Sequence, residues 1–149
     1  IRLPLTGDLF LKSAVARFAR TFGTLLASGV PILRALAITR DSAGNVHVAG
    51  AITAVHNRVK EGDSVARPLR ATGIFPDMVA GMIEVGEETG ALPEMLVRIA
   101  DAYEEEVDNA VSSLTSVIEP VMIVCMAVVV GVIVIALFLP IIRIIQFMS

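Results

Sequence analysis

A long apolar run near the C-terminus constrains this chain more than any other feature. From Val121 to Ile142, 22 consecutive residues include no charged and no strongly polar side chain. At about 1.5 Å of rise per residue, a helix of this length reaches roughly 33 Å, which is enough to cross the hydrocarbon core of a bilayer. A buried helix of a soluble protein would be shorter and would show a polar face. The run therefore predicts a transmembrane helix.

Ahead of this run, the chain shows helical periodicity and no pattern typical of strands. Apolar side chains recur every three or four positions, as in Leu11, Val15, Phe18, Phe22 and Leu25. The pattern predicts six helices joined by short connectors. The expected fold class is all-α, a six-helix antiparallel bundle whose last helix continues into the transmembrane helix.

The patterns divide the chain into four parts. Residues 1–8 lead into the bundle, residues 9–116 form a helical-bundle domain, residues 117–142 form the transmembrane helix and residues 143–149 are a short tail. The first helix is expected over residues 9–28, where the amphipathic pattern is clearest.

Glycine and proline mark the ends of the predicted helices. Ser28-Gly29-Val30-Pro31 is interpreted as a tight turn, because glycine favours the position after a helix and proline favours the first turn of the next. Ser64 can cap a short fourth helix. The segment from Gly86 to Gly90 is expected to interrupt the fifth helix as a compact acidic turn. Pro120 is expected to kink the last helix and Pro140 to break it.

Charges are unevenly distributed along the chain. Residues 1–70 contain ten Lys or Arg and four acidic residues, whereas residues 71–119 contain one Arg and eleven acidic residues. Such asymmetry favours charge-complementary contacts, either within the domain or with a protein partner. Nucleic acid is disfavoured as a partner, because the chain has no basic run and its net charge is −3.

The sequence lacks the residue patterns of common catalytic sites. It contains no Walker A phosphate loop, no GxSxG nucleophile elbow and no HExxH zinc motif, and the lone Cys125 lies inside the apolar run. His47 and His56 are nine residues apart, which places them on opposite faces of a helix and excludes a metal pair. We therefore predict no enzymatic activity, no catalytic residue and no cofactor.

The densest polar segment is residues 84–90, Glu-Val-Gly-Glu-Glu-Thr-Gly. Glu84, Glu87 and Glu88 are spaced to share one face of a helix, and three carboxylates could bind Ca²⁺ or Mg²⁺. The spacing of a dedicated calcium loop is missing, so a structural turn with an exposed acidic rim is the favoured interpretation. Residues 104–108 are most simply a solvated acidic face, with a partner's basic patch as the alternative.

Several short elements occur in a specific order along nearly the whole chain. They are Arg17-Phe18 with Thr21, Leu25 and Leu26, then Ser28-Gly29-Val30-Pro31, Glu61-Gly62-Asp63-Ser64, Phe75-Pro76, Gly86-Glu87-Glu88-Thr89-Gly90-Ala91-Leu92, Tyr103-Glu104-Glu105-Glu106-Val107, Glu119-Pro120 and Leu139-Pro140-Ile141. Each element alone is weakly specific. The ordered set resembles the integral inner-membrane platform proteins of type II secretion and type IV pilus assembly. The resemblance is to the second of the family's two homologous cytoplasmic domains and to the final membrane span.

The resemblance implies a non-enzymatic scaffold that couples a cytoplasmic assembly ATPase to the polymerisation of pilins or pseudopilins. It further implies contacts with other inner-membrane subunits of the machine, a homo-oligomer, and a helical domain in the cytoplasm. A subunit of a membrane transporter or channel is the alternative, although its span would be expected to carry ionisable residues. The expected partner interface comprises Arg17, Arg20, Gly86, Glu87, Glu88, Thr89 and Gly90.

The orientation of the span rests on the resemblance rather than on charge. The flank from Asp101 to Glu119 has no Lys or Arg, whereas Arg143 follows the span, so local charge alone would place the C-terminus inside. One arginine is a weak signal, and we keep the cytoplasmic assignment of the bundle. Glu119 is expected in the headgroup layer, with Pro120 and Pro140 marking the two membrane boundaries.

Overall fold

The computed structural model describes the backbone of residues 4–148 and the side chains of residues 7–148. These residues form six α-helices and no strand, which confirms the predicted fold class. The helices are α1 (Pro4–Ala27), α2 (Ile32–Asp41), α3 (Val46–Lys60), α4 (Ala66–Ala71), α5 (Asp77–Thr89) and α6 (Leu92–Met148). The predicted leading segment, residues 1–8, lies partly outside the described residues. Its described part already belongs to α1, which begins at Pro4 rather than at residue 9.

Internal contacts divide the chain after Asp108 into two units, and α6 contributes to both. The first unit contains α1 to α5 and the beginning of α6. The second unit begins at Asn109 and, within the described range, consists of the remainder of α6. The predicted end of the bundle, residue 116, lies within the second unit.

The first unit has a single apolar core to which every helix contributes. One large side chain with no exposed surface comes from each helix in turn: Phe22, Leu36, Ile52, Leu69, Ile83 and Leu96. An aromatic cluster joins α1 to the connector before α5. The centroid of the Phe18 ring lies 4.8 Å from that of Phe75 and 5.6 Å from that of Phe22. Removing these apolar surfaces from water is the main contribution to the stability of the bundle.

The turn between α1 and α2 confirms the prediction made from Gly29 and Pro31. The Val30 amide donates to the Leu25 carbonyl at 3.0 Å, and the Gly29 amide donates to the Leu26 carbonyl at 3.0 Å. This is the Schellman arrangement, in which the residue after the helix adopts a left-handed conformation. Gly29 has a φ of 83°, which a residue with a side chain rarely adopts. The turn is thus encoded locally.

Pro120 and Pro140 both lie inside the last helix. α6 continues through Pro120 and Pro140 to Met148, so the expected break at Pro140 is wrong. Proline removes one backbone donor, but leaving the helix in an apolar environment would expose several more unsatisfied backbone groups. Continuing the helix therefore has the lower free energy at this position.

Candidate functional site

Residues 84–89 of the acidic segment belong to α5 and do not form a separate turn. α5 extends to Thr89, and the chain reverses only at Gly90, whose φ is 72°. The expected interruption at Gly86 is therefore wrong. Gly86 is buried and helical, and the sequence alone does not show this because glycine can indicate either a turn or a close contact between helices.

Gly86 allows α5 to approach the start of α6. A Cβ atom built on Gly86 would lie 2.9 Å from the Leu92 Cα and 3.2 Å from the Met95 Cβ. The first of these neighbours is a backbone atom, which cannot move without shifting the beginning of α6. Because residue 86 has no side chain, α5 and the start of α6 can lie this close together.

Glu87 lies close enough to α4 to cap its N-terminus. The Val65 amide donates to Glu87 Oε1 at 2.6 Å, and the Ala66 amide donates to Glu87 Oε2 at 3.0 Å. The first amides of a helix have no partner within the helix, and a carboxylate satisfies them and favours the positive end of the helix dipole. Ser64 assists as predicted, because its Oγ accepts from the Arg67 amide at 3.3 Å. Glu87 therefore connects α5 to α4 within the bundle.

The other polar residues of this segment have different surroundings. Glu84 accepts a hydrogen bond from Arg70 at 3.0 Å, which is a second link between α4 and α5. The Thr89 hydroxyl donates to the Val85 carbonyl at 2.7 Å, and Glu88 is exposed. One carboxylate oxygen of Glu84 and both oxygens of Glu87, which the metal hypothesis requires as ligands, accept hydrogen bonds from nitrogen donors. Across the described side chains, no group of three His, Cys, Asp or Glu residues is arranged to hold a metal ion.

Some basic residues of α1 form ion pairs with acidic residues of α6 within the first unit. Arg20 donates to both carboxylate oxygens of Glu104, at 3.0 and 2.7 Å, and also to Asp101. Lys12 lies 3.0 Å from Glu106 and 3.1 Å from Asp8. The acidic face of α6, which the sequence left open between solvent and a partner, is thus partly covered by cations of α1.

These ion pairs shift the pKa values of their members. The hydrogen bond from Arg20 lowers the pKa of Glu104, and the hydrogen bonds to Glu104 and Asp101 raise the pKa of Arg20. The hydrogen bonds with Glu106 and Asp8 raise the pKa of Lys12. Each shift favours the charged form, as expected for opposite charges in contact.

Replacing Arg20 with alanine is expected to lower the free energy of unfolding by about 1 kcal/mol at pH 7, because the pair is half-exposed and screened by solvent. Since the pKa of Glu104 is lower in the folded state, its contribution is complete above the ordinary carboxyl pKa and is lost as the pH falls through the lowered value. Denaturant titrations of both proteins at pH 7 and pH 3 should therefore show a smaller difference at pH 3. An equal difference at both pH values would contradict this account.

Arg17 differs from Arg20 although both were predicted at the interface. Arg17 is exposed, and among the described residues it forms no ion pair. Its Nη1 atom lies 3.0 Å from the position that a Cβ on Gly44 would occupy. Arg17 and Arg20 also line a groove of about 440 Å³ between α1 and α6. Of the two predicted cations, Arg17 is the one that an external carboxylate could reach.

The residues predicted at the membrane boundaries, Glu119, Pro120 and Pro140, all lie in the second unit and are exposed. α6 is the one helix in the described part of the chain that is long and apolar enough to cross a membrane. An 18-residue window within it has a mean hydropathy of 3.3, and none of that window is buried. A core helix of a soluble protein would be covered by other elements, so the exposed apolar surface supports insertion into lipid.

Comparison with known proteins agrees with this combination of helical bundle and apolar helix. The family model for type II secretion system protein F matches residues 18–140. The chain belongs to this family. It is 51% identical to a type IV pilus assembly protein PilC from Myxococcus xanthus, over 93% of this chain and 33% of that relative. It is 49% identical to a PilC from Thermus thermophilus, over 100% of this chain and 37% of that relative.

Secretion proteins are among the relatives as well. The chain is 39% identical to type II secretion system protein F of Pseudomonas aeruginosa, over 98% of this chain and 36% of that relative. It thus spans about a third of the length of the curated relatives that it matches. The family and the exposed apolar helix together identify a membrane-associated protein of the type IV pilus and type II secretion class.

Proposed function

We propose that this chain is part of a non-enzymatic platform in a type IV pilus assembly machine. The observation that carries the proposal is the family match over residues 18–140, which includes both the helical bundle and the apolar helix. The identities to pilus assembly proteins, 51% and 49%, exceed the 39% identity to the secretion protein, which favours the pilus over the secretion machine.

In this proposal the bundle lies in the cytoplasm and α6 anchors it in the inner membrane. A cytoplasmic assembly ATPase acts on the bundle and moves it. This movement is transmitted to other membrane subunits of the machine, which add pilins to the fibre. The extent of α6, Leu92–Met148, supports this arrangement, because one helix contributes Leu96 to the bundle core and also contains the apolar span. The scaffold itself carries out no chemical step, and several copies form the platform.

The deciding experiment combines deletion with co-purification. Deleting the gene in its own cell should abolish surface pili and leave protein secretion intact, and the cytoplasmic assembly ATPase should co-purify with the full-length protein from membranes. Loss of secretion with normal pili would assign the chain to the secretion machine instead. Unchanged pili and unchanged secretion would overturn the platform role, and ATP hydrolysis by the purified protein alone would overturn its non-enzymatic character.

Replacing Val130 with arginine tests the anchoring role of α6. A charge at the centre of a membrane helix costs roughly 2.5–3.5 kcal/mol on insertion scales. We expect the fraction of protein recovered with membranes after alkaline extraction to fall, while Val130→Leu leaves it unchanged. Equal recovery of the two variants would contradict a membrane position for this residue.

A further inference from the structure

The last two turns of α6, residues 141–148, extend beyond the length that a membrane span requires. α6 continues without a break from Val121 to Met148. At about 1.5 Å of rise per residue, this stretch is roughly 42 Å long. The hydrocarbon core of a bilayer is about 30 Å thick, so a span that enters the core at Val121 leaves it near Pro140. Residues 141–148 then either lie outside the core or require the helix to tilt.

A straight helix and a tilted helix both place residues 141–148 unfavourably. A straight helix would carry them through the headgroup layer into water, although six of the eight are Ile, Phe or Met and more than half exposed on the protein. Tilting the whole stretch into the core would need roughly 45°, whereas membrane helices tilt by about 20° on average and up to about 40°. Pro140 permits a third geometry, because proline cannot donate to the Ala136 carbonyl and is a usual site of helix bends.

The side chains of residues 141–148 are sorted by type onto two faces of the helix. Four apolar residues, spaced at i, i+3, i+4 and i+7, share one face: Ile141, Ile144, Ile145 and Met148. Arg143 and Gln146 are three residues apart and share the opposite face, and Phe147 lies next to Arg143 around the helix. A helix with an apolar face, a basic polar face and an aromatic residue is typical of segments that lie in a membrane interface.

We propose that residues 141–148 lie along the headgroup layer of the membrane, where Arg143 binds the phosphate of a phospholipid. A bend at Pro140 turns the segment parallel to the membrane surface, so that its apolar face meets the acyl chains. Arg143 is exposed, and an open hollow of about 390 Å³ beside Arg143 and Phe147 gives a headgroup access to the guanidinium. A guanidinium matches the geometry of phosphate oxygens.

This arrangement would fix both the depth and the rotation of the span, because Arg143 stays at the phosphates while the opposite face stays in the acyl region. The inference rests on the proposed anchoring of α6 in the membrane. It adds a lipid contact to the residues that follow the span.

Tryptophan depth measurements test this placement, because the chain has no tryptophan of its own. The full chain with Phe147→Trp or Met148→Trp is placed in vesicles of phosphatidylcholine and phosphatidylglycerol that contain lipids brominated near the headgroup or near the bilayer centre. In a segment parallel to the surface, Met148 belongs to the buried face. The ratio of deep to shallow quenching should therefore be about twofold higher for Met148→Trp than for Phe147→Trp.

A straight helix predicts the opposite order, because Met148 is one residue further from the core than Phe147. The opposite order would therefore overturn the proposal, as would strong quenching of both tryptophans by acrylamide in the aqueous phase. Recovery with membranes after alkaline extraction tests the anchor separately. A chain that is recovered with membranes but shows the opposite order would overturn this inference and leave the platform role intact.

The phosphate contact is tested by neutralising Arg143 in the Phe147→Trp protein. Arg143→Gln should raise the ratio of deep to shallow quenching by about twofold, because the segment sinks when no cation holds it at the phosphates. Arg143→Lys should preserve the original ratio. The control is Arg34→Gln, which neutralises an exposed cation on α2 and should leave the ratio unchanged. An unchanged ratio in Arg143→Gln would overturn phosphate binding by Arg143.

Discussion

Replacing Gly86 with valine is expected to lower the free energy of unfolding of the bundle by about 3 kcal/mol, at the upper end of overpacking effects. A Cβ atom at this position already approaches the Leu92 Cα to 2.9 Å, and the two methyl groups of valine add further atoms to the same contact. Because the nearest neighbour is a backbone atom, the strain can be relieved only by moving α5 away from α6. That movement would open the core around Ile83 and Leu96, which are both fully buried.

Gly81 provides a matched control within the same helix. A Cβ atom at Gly81 has no neighbour within 4 Å, and alanine in place of either glycine gains roughly 1 kcal/mol of helix propensity. Gly81→Ala should therefore stabilise the bundle. The difference in free energy of unfolding between Gly81→Ala and Gly86→Ala, expected to be about 1–3 kcal/mol, measures the cost of the close contact at Gly86. The chain has one tyrosine and no tryptophan, so the fluorescence of the buried Tyr103 reports unfolding of the bundle in a denaturant titration. Equal stability of the two alanine variants would contradict the close-contact interpretation.

The helices could be predicted from the sequence because their signals are local. The apolar spacing that includes Val15, Phe18 and Phe22 defines a buried face of α1 without reference to the rest of the chain. The end of α1 at Gly29 follows from the left-handed backbone that this residue adopts, which glycine tolerates best. The membrane helix follows from its composition alone.

The surroundings of Gly86 and Arg20 depend instead on contacts between different helices, which the sequence pattern does not show. The sequence pattern favours a turn at Gly86, and only the structure shows that Leu92 approaches this residue so closely. Arg17 and Arg20 have equivalent positions in the sequence pattern, yet only Arg20 faces the carboxylates of α6, which follow it by more than 80 residues. The partner interface that includes residues 86–90 stays a prediction. Glu88 is exposed, so it is better suited than Glu87 to test this interface.

Replacing Glu87 with alanine is expected to lower the free energy of unfolding by about 2 kcal/mol, through the loss of a charged acceptor for two helix amides. α4 has only six residues, so it has few other backbone hydrogen bonds that could maintain its start. The Val65 amide, 22 residues from Glu87 in sequence, should exchange its hydrogen faster in the variant, as should the Ala66 amide. Native-state hydrogen exchange measures both amides individually.

Glu88 is the matched control for this change, because it is adjacent, acidic and exposed. Glu88→Ala should alter the free energy of unfolding by less than about 0.5 kcal/mol, as is usual for surface positions. Glu87→Gln should fall between Glu87→Ala and the original protein, since the amide retains one acceptor oxygen but loses the charge. If the Val65 and Ala66 amides remained protected in Glu87→Ala, the capping role would be wrong. With the capping role confirmed, charge reversal of Glu88 rather than of Glu87 would test binding of the cytoplasmic assembly ATPase at this end of α5, because charge reversal of Glu87 would also disturb α4.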